Sequence, residues 1–389
     1  MPASCKQLEP NPSIFHGEHG EPREKWAMIM QSMGKGSNPQ VSKFEVGAVT
    51  QQRILYAVQG TGNGHLARAN EVISHLQQYG EVDVLVSGTQ SELAMPVRPT
   101  YRLDGLSFVF GKDGGINFRE TFLKTVLPQV RLRALRELLS IPVEKYSWVL
   151  HDFEPITAWA ANFARVPAAQ LSHQAAFLSP EVPRAETGSF LTELIFRYAA
   201  PSNLHVGLHY QNYSSTVKTP IIRKAIRELH ATQEGHYVVY LPAYSDEIIV
   251  RILKRFPGID WFVFNKHHNE RYTEQNVCVM PVSEREFLPL FASSTGLITA
   301  AGFQATSEAI FLGKKLLAIP QRNQFEQQSN ARALSLMGVP TLPEFSERFE
   351  GLLDDWIVHS TPLHLEFPDQ TEDIIKEIVA RMEPQALGQ

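Results

Sequence analysis

At 389 residues the chain is too long for one ordinary core, so two domains of comparable size are expected. A composition 43% hydrophobic and 20% charged is that of a soluble globular protein, and a net charge of −5 gives no general reason to expect nucleic acid as a partner. No apolar run approaches the roughly 18 residues that span a bilayer, and the first residues show no compact apolar core with a cleavage site. Cys5 lies in a polar tail and Cys278 in an apolar strand, which argues against a structural disulfide; the expectation is a cytoplasmic protein.

Residues 1–50 are rich in Pro, Gly, Ser, Gln and charge, broken by Trp26-Ala27-Met28-Ile29-Met30. Such a segment buries little surface and reads as a flexible extension with room for a short docking helix. From Arg53 onward, apolar strands at Ile54–Val58, Val82–Ser87, Leu106–Phe110, Trp148–His151 and Ala168–Leu171 alternate with helical periodicity at 65–78, 119–139 and 155–164. A polar stretch at 209–216 interrupts the series. It restarts with strands Tyr237–Leu241, Trp261–Phe264, Val277–Met280, Leu297–Thr299 and Lys315–Ile319, and with helices near 245–256, 284–291, 303–312 and 325–337. Alternation of this kind predicts an α/β chain of two doubly wound, Rossmann-like domains joined near residue 215, with a ligand cleft between them.

The strand Ile54–Val58 runs into Gly60-Thr61-Gly62-Asn63-Gly64-His65. Glycines at 60, 62 and 64 allow a sharp turn and close approach to a ligand, and the helix that follows aims its free N–H groups at that ligand. His65 could take a proton near neutral pH. Its alternative role is that of a first-turn phosphate donor. A hydroxyl nucleophile needs a base, and a buried carboxylate would hold the imidazole tautomer; Asp152, at the end of the strand Trp148–His151, is the candidate, with capping of the helix near Pro155 as its alternative role.

A second strand-to-helix turn, Thr299-Ala300-Ala301-Gly302-Phe303-Gln304-Ala305-Thr306-Ser307-Glu308, leads on to Glu326-Gln327-Gln328-Ser329-Asn330-Ala331. A helix start can hold a diphosphate, a glutamate can accept from both ribose hydroxyls, and a Glu/Gln pair can read sugar hydroxyls. With both motifs in view, residues 53–340 resemble the GT-B glycosyltransferases of families 1 and 28. The resemblance is strongest to a bacterial and archaeal group sharing Gly-Thr-Gly-Asn-Gly-His and an Asp-Phe-Glu-Pro segment.

That resemblance implies an acceptor domain at 51–214, a nucleotide-sugar domain at 215–365, and a C-terminal helix and tail at 366–389. By position, Glu308 would bind the donor ribose, Glu326 and Gln327 the donor sugar, and Gly302, Phe303, Gln304 and Ala305 the diphosphate. Met280 and Val282 would grip the base through the backbone, and His65 with Asp152 would form the catalytic dyad. The implied donor is a uridine diphosphate sugar, used without a further cofactor or metal, and the acceptor is a hydroxyl. Ala300 stands where family 1 enzymes often carry a phosphate-binding histidine and retaining enzymes a glutamate, so inversion is the expected stereochemistry. The acceptor pocket would be built from Gly111–Asn117 and His173–Pro183.

Other readings stay open. A sugar-nucleotide epimerase or hydrolase would use the same donor motif, and a non-catalytic nucleotide-sugar subunit would keep binding alone. An NAD(P)-dependent oxidoreductase would want an acidic or basic residue after the second strand, where Ser87-Gly88 stands. Asp152-Phe153-Glu154 resembles the acidic metal motif of the other large glycosyltransferase fold, which the alternation disfavours. His205 with His209, and His267-His268, read as strand or loop histidines rather than metal ligands. The segment 119–139 mixes Leu123, Leu127, Leu132 and Leu135 with Lys124, Arg131, Arg133 and Arg136. It is either a core helix with a solvated basic face or a surface resting on anionic lipid, which would suit a lipid-linked acceptor.

Overall fold

The computed structural model describes residues 52–60, 63–88, 97–105, 128–186, 190–266 and 270–383. The extension 1–50, Gly62, the strand expected at Leu106–Phe110, the loop 111–117 and His267-His268 lie outside them.

The first series comprises β1 (Gln52–Gln59), α1 (Asn63–Leu76), β2 (Gly80–Ser87), β3 (Tyr101–Leu103), α2 (Pro128–Ser140), β4 (Trp148–Asp152), α3 (Pro155–Ala164), β5 (Ala168–Ser172), α4 (His173–Ala176), α5 (Phe190–Tyr198), β6 (Leu204–Leu208) and β7 (Val217–Lys218). Its strands form one sheet, ordered β3-β2-β1-β4-β5-β6-β7, parallel throughout. Ile54–Val58 are fully buried, as an apolar run without alternation requires of a strand lacking a solvent face.

After α6 (Lys224–Arg227) come β8 (Tyr237–Tyr240), α7 (Asp246–Leu253), β9 (Trp261–Asn265), β10 (Tyr272–Glu274), β11 (Val277–Pro281), α8 (Glu284–Ser293), β12 (Gly296–Ala300), α9 (Phe303–Phe311), β13 (Lys315–Ile319), α10 (Phe325–Leu336), α11 (Glu350–His359) and α12 (Thr371–Met382). The second sheet is ordered β10-β11-β9-β8-β12-β13, with only β10 antiparallel. Among the described residues the elements expected from periodicity are there to within a few residues, and of the helix expected over 119–139 the described part is Pro128–Ser140. Three short edge strands, β3, β7 and β10, escape it, because two or three residues give an alternation nothing to repeat.

Each sheet reverses its order of strand addition once, between β1 and β4 and between β8 and β12. Crevices in open parallel sheets form beyond the carboxyl ends at that reversal. The chain therefore delivers both of its distinctive turns, Gly60–His65 after β1 and Ala300–Phe303 after β12, to such positions.

The apolar stripe Ile374, Ile375, Ile378, Val379 and Met382 buries α12 against α1 and β5, so the chain's last helix returns to the first sheet. Lys218–Glu377 at 3.0 Å and Gln52–Glu383 at 3.2 Å fasten it there. On α2, Leu132, Leu135 and Leu139 are 48%, 51% and 74% exposed, so these three leucines do not belong to the core.

Candidate active site

The loop after β4 separates two neighbouring carboxylates. Glu154 precedes Pro155, the first residue of α3, and caps that helix: its carboxylate accepts from Ile156 N at 3.1 Å and Thr157 N at 2.6 Å. Capping is thus done by Glu154, and Asp152 is left for another role. Phe153 between them sits in the left-handed region at φ 53°, which turns the chain sharply enough for successive acids to serve different elements.

Asp152 is fully buried and faces α1. Its Oδ2 accepts from Arg68 Nε at 3.1 Å and Nη2 at 2.5 Å, and its Oδ1 lies 3.1 Å from His65 Nδ1 with no other partner. Burial pushes the Asp152 carboxyl upward, but the charges of Arg68 and His65 and their hydrogen bonds outweigh it and hold the group below its ordinary value. His65 and Arg68 are three residues apart on α1 and so share one face of the helix. Arg68 Nη2 also comes within 3.2 Å of His65 Nδ1. A guanidinium only donates, so it can bond Nδ1 only when that nitrogen is bare and the proton sits on Nε2. A proton on Nδ1 facing Asp152 instead leaves Nε2 bare, the form a base requires.

On the opposite wall, α9 begins at Gly302 with no side chain capping it. Its first-turn N–H groups are left for a ligand, and a Cβ on Gly302 would meet nothing within 4 Å. The start of α1 comes close to it: a Cβ on Gly64 would lie 3.3 Å from Gln304 Cβ. Glu308, two turns into α9, is 3% exposed and gripped by Arg223 through Nε at 2.7 Å and Nη2 at 2.8 Å. Gln304 Nε2 adds a third bond at 2.8 Å, and Arg223 Nη1 reaches Glu284 at 2.5 Å.

Glu326 accepts from Gln174 Nε2 at 2.9 Å, and the Gln327 amide oxygen accepts from Gln321 N at 3.0 Å. The Gln327 amide can then offer its N–H groups to a ligand. Two further ties bind the walls. His173 stacks on Phe303 at 4.0 Å while its ring nitrogens lie 2.7 Å from Leu208 O and 2.7 Å from Asn330 Oδ1, and the Tyr210 and Thr306 hydroxyls meet at 2.7 Å.

These groups surround one cavity of about 350 Å³. Gly64, His65, Val282, Gly302, Phe303, Gln304, Ala305, Glu308, Glu326 and Gln327 all line it, as do His173 and Gln174 from the segment expected at the acceptor pocket, and Arg68 and Arg223, which the motif reading missed. Tyr240, Pro242, Phe264 and Phe287 form its apolar end. Asp152 stands behind His65 rather than in the wall. Met280 is 2% exposed in β11 and, like Gly60, is not part of the lining. Gly60 is glycine for room: a Cβ there would come within 3.0 Å of Val86 Cγ1 and 3.1 Å of Gly88 O.

The sequence model of a family described as Glycosyl transferase family 1 matches residues 52–347. No curated protein sequence matches the chain. Among solved structures, Arabidopsis thaliana UGT89C1 is similar with a TM-score of 0.56 at 12% identity, over 85% of this chain and 99% of that one. The same protein complexed with UDP-L-rhamnose gives 0.55 at 14% identity, over 85% and 99%. The glycotransferase of kitacinnamycin gives 0.50 at 14% identity, over 86% and 99%. Likeness at such identities shows the fold, which is GT-B.

Proposed function

This chain belongs to glycosyl transferase family 1, and from that premise we propose that it moves a sugar from a nucleotide-activated donor, a uridine diphosphate sugar, to a hydroxyl acceptor with inversion. The observation that carries the reading is that His65 and Glu308, from the two sheets, line one cavity. The nucleotide would lie with its base toward Tyr240, Phe264 and the backbone at Val282, its ribose at Glu308 and its diphosphate at the start of α9. The sugar would meet Glu326 and Gln327. The structure of UGT89C1 complexed with UDP-L-rhamnose is a precedent for such a donor on this fold.

In this proposal the acceptor hydroxyl enters from the first sheet and gives its proton to His65 Nε2 as its oxygen attacks the anomeric carbon. The bond from that carbon to the diphosphate breaks in the same displacement, which inverts the centre. Asp152 holds the Nδ1 proton and offsets the charge on the imidazolium. Backbone N–H groups and the positive end of α9 stabilise the departing diphosphate, so the step makes no demand for a metal.

The expected outcome of a thermal-shift panel is a rise in Tm with uridine diphosphate that Glu308→Ala removes. Stabilisation by nicotinamide dinucleotides alone would instead favour the oxidoreductase, although β2 ends in Ser87-Gly88 where that class needs a ribose-reading acid. Slow hydrolysis of one sugar nucleotide in a donor screen would name the sugar without knowledge of the acceptor.

The exposed leucines of α2 beside exposed Arg136 support an acceptor carried in a membrane surface. Co-sedimentation with vesicles containing anionic lipid is expected at low salt, and Leu135→Glu with Leu139→Glu should abolish it. No sedimentation of the unaltered protein ends the lipid-linked reading.

A further inference from the structure

Glu308 is already occupied. A carboxylate has about four lone-pair directions for hydrogen bonds, and three bonds take all but one of them here: Arg223 Nε and Gln304 Nε2 on Oε1, and Arg223 Nη2 on Oε2. Two ribose hydroxyls cannot both enter while the guanidinium fork stays. The fork has a reason to be there, because a buried carboxylate left without a counter-charge is costly, and Arg223 is the cation the chain supplies.

The charge in the cavity wall sharpens the point. Glu284, Glu308 and Glu326 face Arg68 and Arg223, and Arg68 is committed to Asp152. Arg223 is thus the lining cation that balances the acids on the donor side, among the described residues. Its backbone lies just before α6, in the connection between the sheets, and its long side chain can turn without moving that backbone.

Resting on the donor reading above, we infer that Arg223 is the exchangeable cation of this site: it masks Glu308 when the site is empty and passes to the diphosphate when ribose hydroxyls claim the carboxylate. The exchange costs little when the ligand brings its own negative charge for Arg223 to meet. A nucleoside brings none, and must separate a bidentate ion pair with two neutral hydroxyls. Arg223 therefore makes the pocket select nucleotides over nucleosides, beyond what the α9 N-terminus does.

The test is calorimetric titration of the unaltered protein and Arg223→Met with uridine, thymidine, guanosine and adenosine and with their 5′-diphosphates. In the variant, the affinity for the diphosphate that binds best is expected to fall about tenfold or more, the worth of a charge-assisted contact, while the affinity for its nucleoside holds or rises. The ratio of the two then collapses. Should Arg223→Met fail to fold by circular dichroism, Arg223→Lys keeps the charge and loses the fork, and its nucleoside affinity should rise about threefold or more, the pair being weaker. A ratio equal to that of the unaltered protein in a folded variant overturns the inference and leaves the donor reading standing. An unaltered protein that binds none of the four diphosphates overturns the donor reading, and this inference with it.

Discussion

Replacing His65 with alanine is expected to lower the rate of sugar transfer by about 10²–10⁴-fold, the range a positioned general base contributes, while leaving the Tm shift with uridine diphosphate in place. The two halves of that expectation come from different walls. His65 sits on α1 with Asp152 behind it, whereas Glu308 and the open start of α9 belong to the second sheet. Alanine is the best helix former, so α1 should keep its start and Gly64 its approach to Gln304. Asp152→Asn should act in the same direction, because an amide facing Nδ1 no longer fixes the proton there. Single-turnover rates with a sugar nucleotide and its acceptor are the measurement, with the Tm shift alongside. Turnover surviving in His65→Ala would remove the base from the mechanism; loss of the Tm shift would move His65 into nucleotide binding.

Much of this site was readable because its signals are local. A glycine turn after a buried strand, and a glutamate six residues beyond Gly302, need only neighbours in the chain to be recognised. Arg223 could not be found that way, since its meaning comes from Glu308, 85 residues away. Arg68 did leave a trace. It follows His65 by three residues on a helix, which puts both on one face, and a cation held beside a candidate base deserves a partner to be sought for it. The capping question was also answerable from the chain: in Asp152-Phe153-Glu154-Pro155 the proline marks the first helical position, so the residue before it, Glu154, is the natural cap. The two alternating series gave away the sheets, yet α12 packs on the first of them because its apolar stripe fits α1 and β5, which nothing within Thr371–Met382 announces.

Arg68→Met is expected to cost about 3–5 kcal/mol of stability, the loss that follows when one partner of a buried ion pair is removed. Arg68 is 3% exposed and Asp152 fully buried, so the carboxylate would be left with His65 as its single neighbour of use. The double variant Arg68→Met with Asp152→Leu should recover most of that loss, since apolar groups of similar size replace a buried pair at little net cost. It should not recover transfer, because nothing then holds His65 Nδ1.

The pH dependence follows with a definite sign. In the unaltered protein Asp152 is held below its ordinary value, so its contribution is present above the unfolded value near 3.9 and is lost as pH falls through the lower folded one. Without Arg68, burial acts on Asp152 with less opposition and raises it. The variant then regains a neutral carboxyl on acidification, and the stability gap between the two proteins should narrow from pH 7 to pH 5. Urea unfolding at both pH values reads the gap. A constant gap, or a double variant no more stable than Arg68→Met, would mean that Arg68 supports α1 by packing alone and that Asp152 is neutralised by something other than this guanidinium.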